Sequence, residues 1–436
     1  MLSGPVFWGA DPPTPSRFTM VGVSHLTASL TLLERVSLRR GEAEPLLDAL
    51  RSAGCTEAVV LSTCSRTEIY ATHPGDPLEL LQVLADDAQI SRSDLRSGAT
   101  TCRDRAAVRH LFRVAAGLAS RVLGDVEIQG QIRAAFRQAQ AAGRVGSTLG
   151  RLFPAALRCG AQVREGTALG AQGRSLACRA VDLGLSMLTE SIAPVVLVVG
   201  SGHMAATATA HLAARGHPVQ VAARDAAGAA RLTTANRICP LPGLARGIAD
   251  ADLLLCATSA AAHVVTLADV RTAMAGRSRP LTVVDLSVPR NVDPQVGLVP
   301  GVRLIDVDSM HDDTAHDPAL AAAVIGAEAL LERGFQRYVE DEAARQAGPV
   351  IAALRREVER TCLAELTRLA PSGASDLTRL AHAVAGKLLH HPTMLARTAA
   401  ARQDAGMLRL LCDVYGVGLP DPSREVDQAG ALLSGR

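Results

Sequence analysis

No two cysteines of this 436-residue chain form a C-x-x-C pair, and none stands at zinc-ligand spacing from a histidine. The nine cysteines, at 55, 64, 102, 159, 178, 239, 256, 362 and 412, are odd in number and scattered. This argues against a disulfide framework and a metal site, and for reduced thiols in a cytoplasmic setting. No apolar h-region of a signal peptide follows Met1; residues 1–17 are rich in Pro and Gly and are expected to form a loose tail. Strong charge of either sign is missing too. With a net charge of only +2, bulk charge neither announces nor excludes a nucleic-acid partner. The longest uncharged run, Ser191–Ala214, is interrupted by Pro194, Gly200, Gly202 and two histidines. It reads as strand, turn and helix, so no membrane association is expected. What the chain does have is apolar material: 48% of its residues are hydrophobic, which rules out a disordered chain. The length suggests about three domains.

The first third has an α+β pattern. Phe18–Val23 reads as a strand ending in Ser24-His25-Leu26-Thr27, a segment that either simply turns the chain or lines a site. Leu32–Val36 and Ala43–Leu50 have helical spacing. Ala58–Leu61 is an apolar run expected to be a buried strand, and it ends in the polar cluster Ser62-Thr63-Cys64-Ser65-Arg66. A thiolate is the reactive form of cysteine, and a nearby cation lowers the thiol pKa. Cys64 placed this way can attack an acyl carbon and hold it as a thioester. Arg66 either lowers that pKa or grips a substrate carboxylate with its planar fork. A buried structural thiol beside a surface arginine would leave the same residues. Ile69–Ala71 follows as a second short strand, and the whole suggests a small sheet with helices on one face.

Arg105–Ala116 has the spacing of an amphipathic helix, with Val108, Leu111, Phe112 and Ala115 on its apolar face. His110 lies off that stripe, either as a partly exposed side chain or as a general acid. In Gly117–Gln131 two glycines bracket an apolar stretch and introduce another helix, with Ile128, Ile132 and Phe136 facing the core. Glu127 and Gln131 share one side of it, directly after a glycine-containing loop where a ligand is often received. Arg151–Met187 is mostly helical in pattern and reads as a connecting segment.

Val195–Val199 is a fully apolar strand, followed by Gly200-Ser201-Gly202-His203-Met204-Ala205 and an Ala-rich helix to Arg215. This is G-x-G-x-x-A in the strand–turn–helix context that dinucleotide binding requires. The next strand, Pro218–Ala223, ends at Arg224, which suits the 2′-phosphate of NADP, although Asp225 follows it. Leu253–Ala257 and Leu281–Leu286 are expected as central parallel strands, with Cys256 a buried strand residue. The Pro-punctuated loop 285–294 either lines the cofactor cleft or is a stiff turn. From Asp317 onward the strands stop, and Pro318–Gln346, Val350–Leu369, Leu377–Leu389 and Thr398–Tyr415 read as helices. Leu320, Ala323, Val324, Ala327 and Leu331 suggest an apolar stripe. Lys387–Thr393 is expected to close a helix, and its adjacent histidines, 390 and 391, share no helix face and so make no metal pair.

Taken together, Gly22-Val23-Ser24-His25-Leu26-Thr27-Ala28, Leu61–Tyr70 with its Thr-Cys-x-Arg core, His110-Leu111-Phe112, Gly117–Gln131 and Asp285-Leu286-Ser287-Val288-Pro289-Arg290 resemble glutamyl-tRNA reductases, in order and over nearly the whole chain. The resemblance implies an α/β protein with an N-terminal α+β catalytic domain, a Rossmann NADP-binding domain and a C-terminal all-helical dimerisation domain, linked by a long spinal helix. The corresponding boundaries are a tail at 1–17, a catalytic domain at 18–155, a spinal segment and NADPH domain at 156–316 and a dimerisation domain at 317–436. It implies a V-shaped homodimer that reduces the glutamyl ester of charged tRNA with NADPH, through a thioester, to glutamate-1-semialdehyde, the precursor of 5-aminolevulinate and porphyrins. The downstream semialdehyde aminomutase is an implied partner. Cys64 matches the nucleophile and His110 a histidine important for activity. Thr63, Ser65, Arg66, Ser120, Asp125, Val126, Glu127 and Gln131 fall where substrate is bound, and Gly200, Ser201, Gly202, His203, Met204 and Ala205 on the NADP loop. The chain departs from the family pattern at Ser65 (usually Asn), at Ala119 and Arg121 (Asp and usually Met), at Asp125-Val126-Glu127 (Glu-Pro-Gln) and at Glu165-Gly166 (Thr-Glu). Two other functions fit these residues: an NADP-dependent reductase of a small acyl compound, and a non-catalytic homologue with a regulatory or binding role.

Overall fold

The computed structural model describes residues 18–417 apart from 40, 172–174, 189–192, 226–228, 231, 233–236, 261, 311–317, 370–381, 383 and 403; the tail expected over 1–17 lies outside the described residues. The chain divides after Phe335 into two compact units.

The first unit begins with a four-stranded antiparallel sheet of β1 (Phe18–Ser24), β2 (Glu57–Thr63), β3 (Arg66–Thr72) and β4 (Ala99–Arg103), in the order β2-β3-β1-β4. Thr63 pairs with Arg66, so β2 and β3 form a hairpin whose turn is only Cys64 and Ser65. Every residue of β1 and β3 is buried, so both faces of the sheet are covered, not one as expected. Helices Ala43–Ser52, Pro77–Asp87, Asp104–Ala115 and Ile128–Ala141 pack on it. The one-sided reading fails because Arg66, Thr67 and Glu68 look like solvent-facing residues, yet all three are buried. The Glu57 carboxylate accepts the N–H groups of Gly146, Thr148 and Leu149 at 2.7–3.0 Å and so caps the helix Ser147–Gly166.

The connecting stretch is not continuous. It consists of Ser147–Gly166, the short Ala168–Ala171 and Leu176–Ser186. A six-stranded, wholly parallel sheet follows: β5 (Val196–Val199), β6 (Val219–Ala223), β7 (Arg237–Pro240), β8 (Leu253–Cys256), β9 (Leu281–Asp285) and β10 (Val302–Asp306). Their order, β10-β9-β8-β5-β6-β7, is that of a dinucleotide-binding sheet, with its switch point between β5 and β8. β5, β8 and β9 are buried throughout, which is why they read as unbroken apolar runs. The uncharged run 191–214 resolves into β5 and the helix His203–Ala214, and among the described residues no helix is long and apolar enough to cross a membrane.

The two helices expected over 318–346 and 350–369 are one helix, Pro318–Leu369, of 52 residues with Pro349 inside it. An interior proline removes a backbone hydrogen bond and costs about 3 kcal/mol. Burial of Ala347, Val350, Ile351 and Leu354 around it offsets this. In the first unit the start of this helix buries Leu320, Ala327, Leu331 and Phe335, the last edge-on to Phe112 at 6.1 Å. In the second unit Ala343, Ala347 and Ile351 pack with Ala396, Ala400 and Leu411, and Val350 and Leu354 with Leu389 and Cys412. His390 opens the helix His390–Ala401 rather than closing one, since a proline such as Pro392 is tolerated in a first helical turn. Of the helix expected over 377–389, residues 377–381 and 383 lie outside the described residues.

Candidate active site

Cys64 is half-buried at the tip of the β2–β3 hairpin. Two-residue hairpin turns favour positive φ, for which asparagine and glycine are suited. Neither Cys64 nor Ser65 adopts it; among described non-glycine residues only Gln89 and Asp104 do. The turn is braced instead. Ser65 N–H donates to Thr63 Oγ1 at 3.1 Å, and His25 N–H donates to the Ser65 carbonyl at 2.8 Å. The segment 24–27 therefore borders the site. Ser65 Oγ lies 3.7 Å from Cys64 Sγ.

Burial pushes the Cys64 thiol up; Ser65 and Arg121 pull it down, while the charges of Asp125 and Glu127 push it up. The net direction is upward, against the expectation of a thiol lowered by Arg66. The cation that pulls the thiol down is Arg121, and Arg66 is engaged elsewhere. Arg66 is only 1% exposed, not a surface residue; its Nη1 donates to Glu68 Oε1 at 3.0 Å and its Nη2 to the Ala119 carbonyl. Its Nε has no hydrogen-bond partner among the described residues.

Glu68 gathers the polar centre of this lobe. Oε1 also faces His110 Nε2 at 2.9 Å, and Oε2 accepts from Tyr70 OH at 2.6 Å. Burial would raise its carboxyl, but Arg66 and His110, with hydrogen bonds from His110 and Tyr70, hold it at about 2. Thus His110 is tied to Glu68, and through it to Arg66. Sequence reading gave Glu68 no role of its own, although Arg66, Glu68 and Tyr70 alternate on one strand and so share a face.

Gly117 and Gly124 both have positive φ, and Gly124 N–H donates to the Gly117 carbonyl at 3.1 Å, closing the loop that carries Ala119, half-buried Ser120 and Arg121. A Cβ on Gly117 would lie 2.9 Å from Asp125 N, so only glycine fits. Arg121 was not anticipated as a site residue. It is buried and donates to the Val307 carbonyl at 3.1 Å and to Asp308 Oδ1 at 2.6 Å, tying the loop to the end of the parallel sheet. A second tie is Arg290, whose N, Nε and Nη2 all donate to the Glu34 carboxylate at 2.7–2.8 Å. Asp285 accepts the N–H groups of Ser287, Asn291 and Val292, so the loop 285–294 is stiffly held, with only Leu286 reaching the cofactor cleft.

That cleft encloses about 550 Å³ at the switch point and is lined by Val199 to Met204, Ala222 to Asp225 and Ala257 to Ala260. Glu127 and Gln131 line it from the other lobe, while half-buried Asp125 and Val126 precede them. Gly200 has φ +129, and a Cβ there would lie 2.2 Å from the Ala257 carbonyl oxygen. A Cβ on Gly202 would meet nothing within 4 Å, and this glycine caps the helix His203–Ala214 without a side-chain bond. Open space over unpaired first-turn N–H groups fits a phosphate. Exposed Arg224 stands at the rim. Ala205 is different: it is fully buried in the core under β5, where a small residue permits close helix–sheet packing. Cys256 is buried in β8, its thiol pushed well up by burial. Among the described residues no cluster of histidine, cysteine and carboxylates could hold a metal ion. Cys64 packs against the same apolar cluster as Met204, Val288 and the strands of the parallel sheet, so thiol and cofactor lobe adjoin.

Three family models match in succession: glutamyl-tRNA(Glu) reductase N-terminal domain over 21–167, shikimate/quinate 5-dehydrogenase over 184–312, and glutamyl-tRNA(Glu) reductase dimerisation domain over 326–417. The chain is 34% identical over 434 residues to a glutamyl-tRNA reductase of Acidothermus cellulolyticus, covering 93% of this chain and 90% of that one. Among solved structures, the glutamyl-tRNA reductase of Methanopyrus kandleri matches at 27% identity and a TM-score of 0.45, over 90% of this chain and 98% of that one. The nucleotide-binding domain of the Thermoplasma volcanium reductase matches at 18% identity and a TM-score of 0.26, over 34% and 96% of the two chains. With the Thr-Cys-x-Arg turn, the nucleotide cleft and the helical tail in one order along a chain so similar to a curated relative, this protein belongs to the glutamyl-tRNA reductases.

Proposed function

We propose that this chain reduces the glutamyl group of charged glutamyl-tRNA to glutamate-1-semialdehyde with NADPH, through a thioester on Cys64, as the first step toward 5-aminolevulinate and porphyrins. The observation that carries this reading is the seating of the Cys64 turn against the core of the cofactor lobe. A thiol there can be acylated and then meet a reductant bound in the adjoining cleft. Cys64 attacks the ester carbon and the tRNA 3′-oxygen leaves. Thr63, Ser65, Arg66, Ser120, Asp125, Val126, Glu127 and Gln131 are assigned to the glutamyl group, with Arg66 Nε the donor left over for it. His110, oriented by Glu68, is the second catalytic residue. Reduced nicotinamide, when bound, supplies hydride; Gly200, Ser201, Gly202, His203 and Met204 hold its phosphates and Arg224 its 2′-phosphate, while Ala205 lets the helix pack closely. The test is purified protein with charged glutamyl-tRNA and NADPH, following semialdehyde. No semialdehyde under conditions where the cofactor binds would overturn the reading.

Arg224→Ala is expected to weaken NADPH about tenfold or more while leaving NADH nearly unchanged, since only NADPH offers a 2′-phosphate to a charge-assisted bond. Cofactor titration by fluorescence checks this; equal loss for both would remove Arg224 as the discriminator. The second unit leaves Leu388, Met394, Leu395, Leu410 and Val414 at 49–69% exposure. A second copy of this chain is the cover assigned to that surface, giving a homodimer. Sedimentation at micromolar concentration should show a dimer, and a clean monomer would contradict it. The nine free cysteines suit a cytoplasmic enzyme. The reactive aldehyde suits direct transfer to the downstream aminomutase.

A further inference from the structure

We propose that Arg133, Arg137 and Arg164, on an acid-free face of the helices Ile128–Ala141 and Ser147–Gly166, hold the phosphate backbone that leads to the glutamyl end of the charged tRNA; the inference rests on the glutamyl-tRNA reading above. The whole chain nets only +2, so a nucleic-acid surface has to come from local charge. Residues 128–164 supply it: they hold six arginines and no aspartate, glutamate or lysine.

The fold decides which of the six are available. Ile132, Phe136 and Ala139 turn one side of their helix to the core, and Arg133 and Arg137, one turn apart, are exposed on another. The next helix packs beside this one and brings half-buried Arg164 to it. Arg164 Nη2 and Arg133 Nη2 both donate to Gln129 Oε1, at 2.8 and 3.4 Å. Gln129 is itself 2% exposed, and its Nε2 is held by the Ala115 carbonyl at 3.1 Å. A Cβ on Gly160 would lie 2.7 Å from that Nε2, so the glycine lets the helices close over the amide. Two guanidiniums thus converge on one neutral oxygen. Like charges held this close repel, and an anion between them removes the repulsion. Each guanidinium has five N–H donors and spends one here, leaving forks that fit a phosphate. Among the described residues Arg133, Arg137 and Arg164 form no ion pair. On the helix Asp104–Ala115, by contrast, Arg109 and Arg113 are paired with Glu332 and Glu328, and Arg144 is paired with Asp48. The free cations are therefore gathered on one face.

That face begins at the site. Gln131, on the same helix as Arg133, lines the cofactor cleft. Arg133 follows it by about 3 Å of helix axis and Arg137 by about 9 Å. A glutamyl ester delivered to Cys64 trails its 3′-terminal nucleotides behind it, and their phosphates have to cross the surface next to the site. Phosphate contacts of this kind position a nucleic acid without reading its sequence.

The test compares the full chain with two triple variants, Arg133→Gln/Arg137→Gln/Arg164→Gln and Arg133→Lys/Arg137→Lys/Arg164→Lys. Binding of fluorescently labelled, uncharged glutamate tRNA is followed by anisotropy from about 50 to about 200 mM salt. The glutamine variant should bind about 30-fold more weakly at the low-salt end, and its slope of log affinity against log salt should be shallower by about 2–3. The lysine variant keeps the charge and should stay within about threefold of native with the native slope. NADPH titration should be the same for all three, which shows that the variants are folded. A glutamine variant with native tRNA affinity and slope would overturn the proposal. So would a loss shared by the lysine variant or independent of salt, since either would mark these arginines as structural. Absence of tRNA binding by the unsubstituted chain would instead strike the glutamyl-tRNA reading beneath it.

Discussion

Cys64→Ser is expected to remove glutamyl reduction to below a thousandth of the native rate while leaving cofactor binding and the urea midpoint unchanged. A serine hydroxyl titrates far above a thiol and needs a base at hydrogen-bond distance. Among the described residues, the one side-chain hydrogen-bond partner of this sulfur is Ser65 Oγ at 3.7 Å, another hydroxyl. His110 is held by Glu68 through Nε2 at 2.9 Å, and among the described residues no hydrogen bond joins it to Cys64. Burial pushes the Cys64 thiol itself up in this arrangement. The matched control is Cys256→Ala. Cys256 is fully buried in β8, and its substitution should reduce stability slightly and activity little. The measurement is semialdehyde formation alongside acylation of the Cys64 peptide. Retention of most activity by Cys64→Ser would end the thioester mechanism.

How much of this was legible beforehand depended on whether a residue acts through its neighbours in sequence or in space. The buried strands β5, β8 and β9 announce themselves as apolar runs, and the Gly200–Ala205 turn follows directly on the first. β4 and β7 were missed because Ala-Thr-Thr-Cys-Arg and Arg-Ile-Cys-Pro have neither alternation nor an apolar run, and pairing with β1 and β6 makes them strands. Pro349 marked a helix boundary by local rules, and the tertiary burial of Ala347, Val350 and Ile351 overrides it. In the site, Cys64 was found from its place at a strand end. The partner of its environment was not: Arg66 is adjacent in sequence, but the guanidinium that acts on the sulfur is that of Arg121, on a loop closed by Gly117 and Gly124. No spacing in the sequence connects Arg121 to Asp308 or Glu34 to Arg290, yet these pairs join the lobes that carry thiol and cleft.

Glu68→Leu is expected to destabilise the first unit by about 3–5 kcal/mol, a large fraction of the ~5–15 kcal/mol that holds a typical protein folded. The loss comes mainly from what is left behind. Arg66 stays 1% exposed without its counter-charge, and Tyr70 OH and His110 Nε2 lose their shared acceptor. Arg66→Met combined with Glu68→Leu should therefore be more stable than Glu68→Leu alone, since no charge is then stranded. The same centre sets an acid limit on the fold. Glu68 titrates at about 2 in the folded chain against an ordinary 4.5, so the unfolded chain binds its proton more readily. The stabilisation is thus fully present above pH 4.5 and is lost as pH falls from there toward 2. The difference amounts to about 3 kcal/mol. Urea midpoints of the native chain should fall across that window, and those of the double variant should fall less, because it no longer carries the titrating group. A Glu68→Leu midpoint equal to the native one, or an acid dependence unchanged in the double variant, would show that this buried carboxylate does not anchor the lobe that presents Cys64.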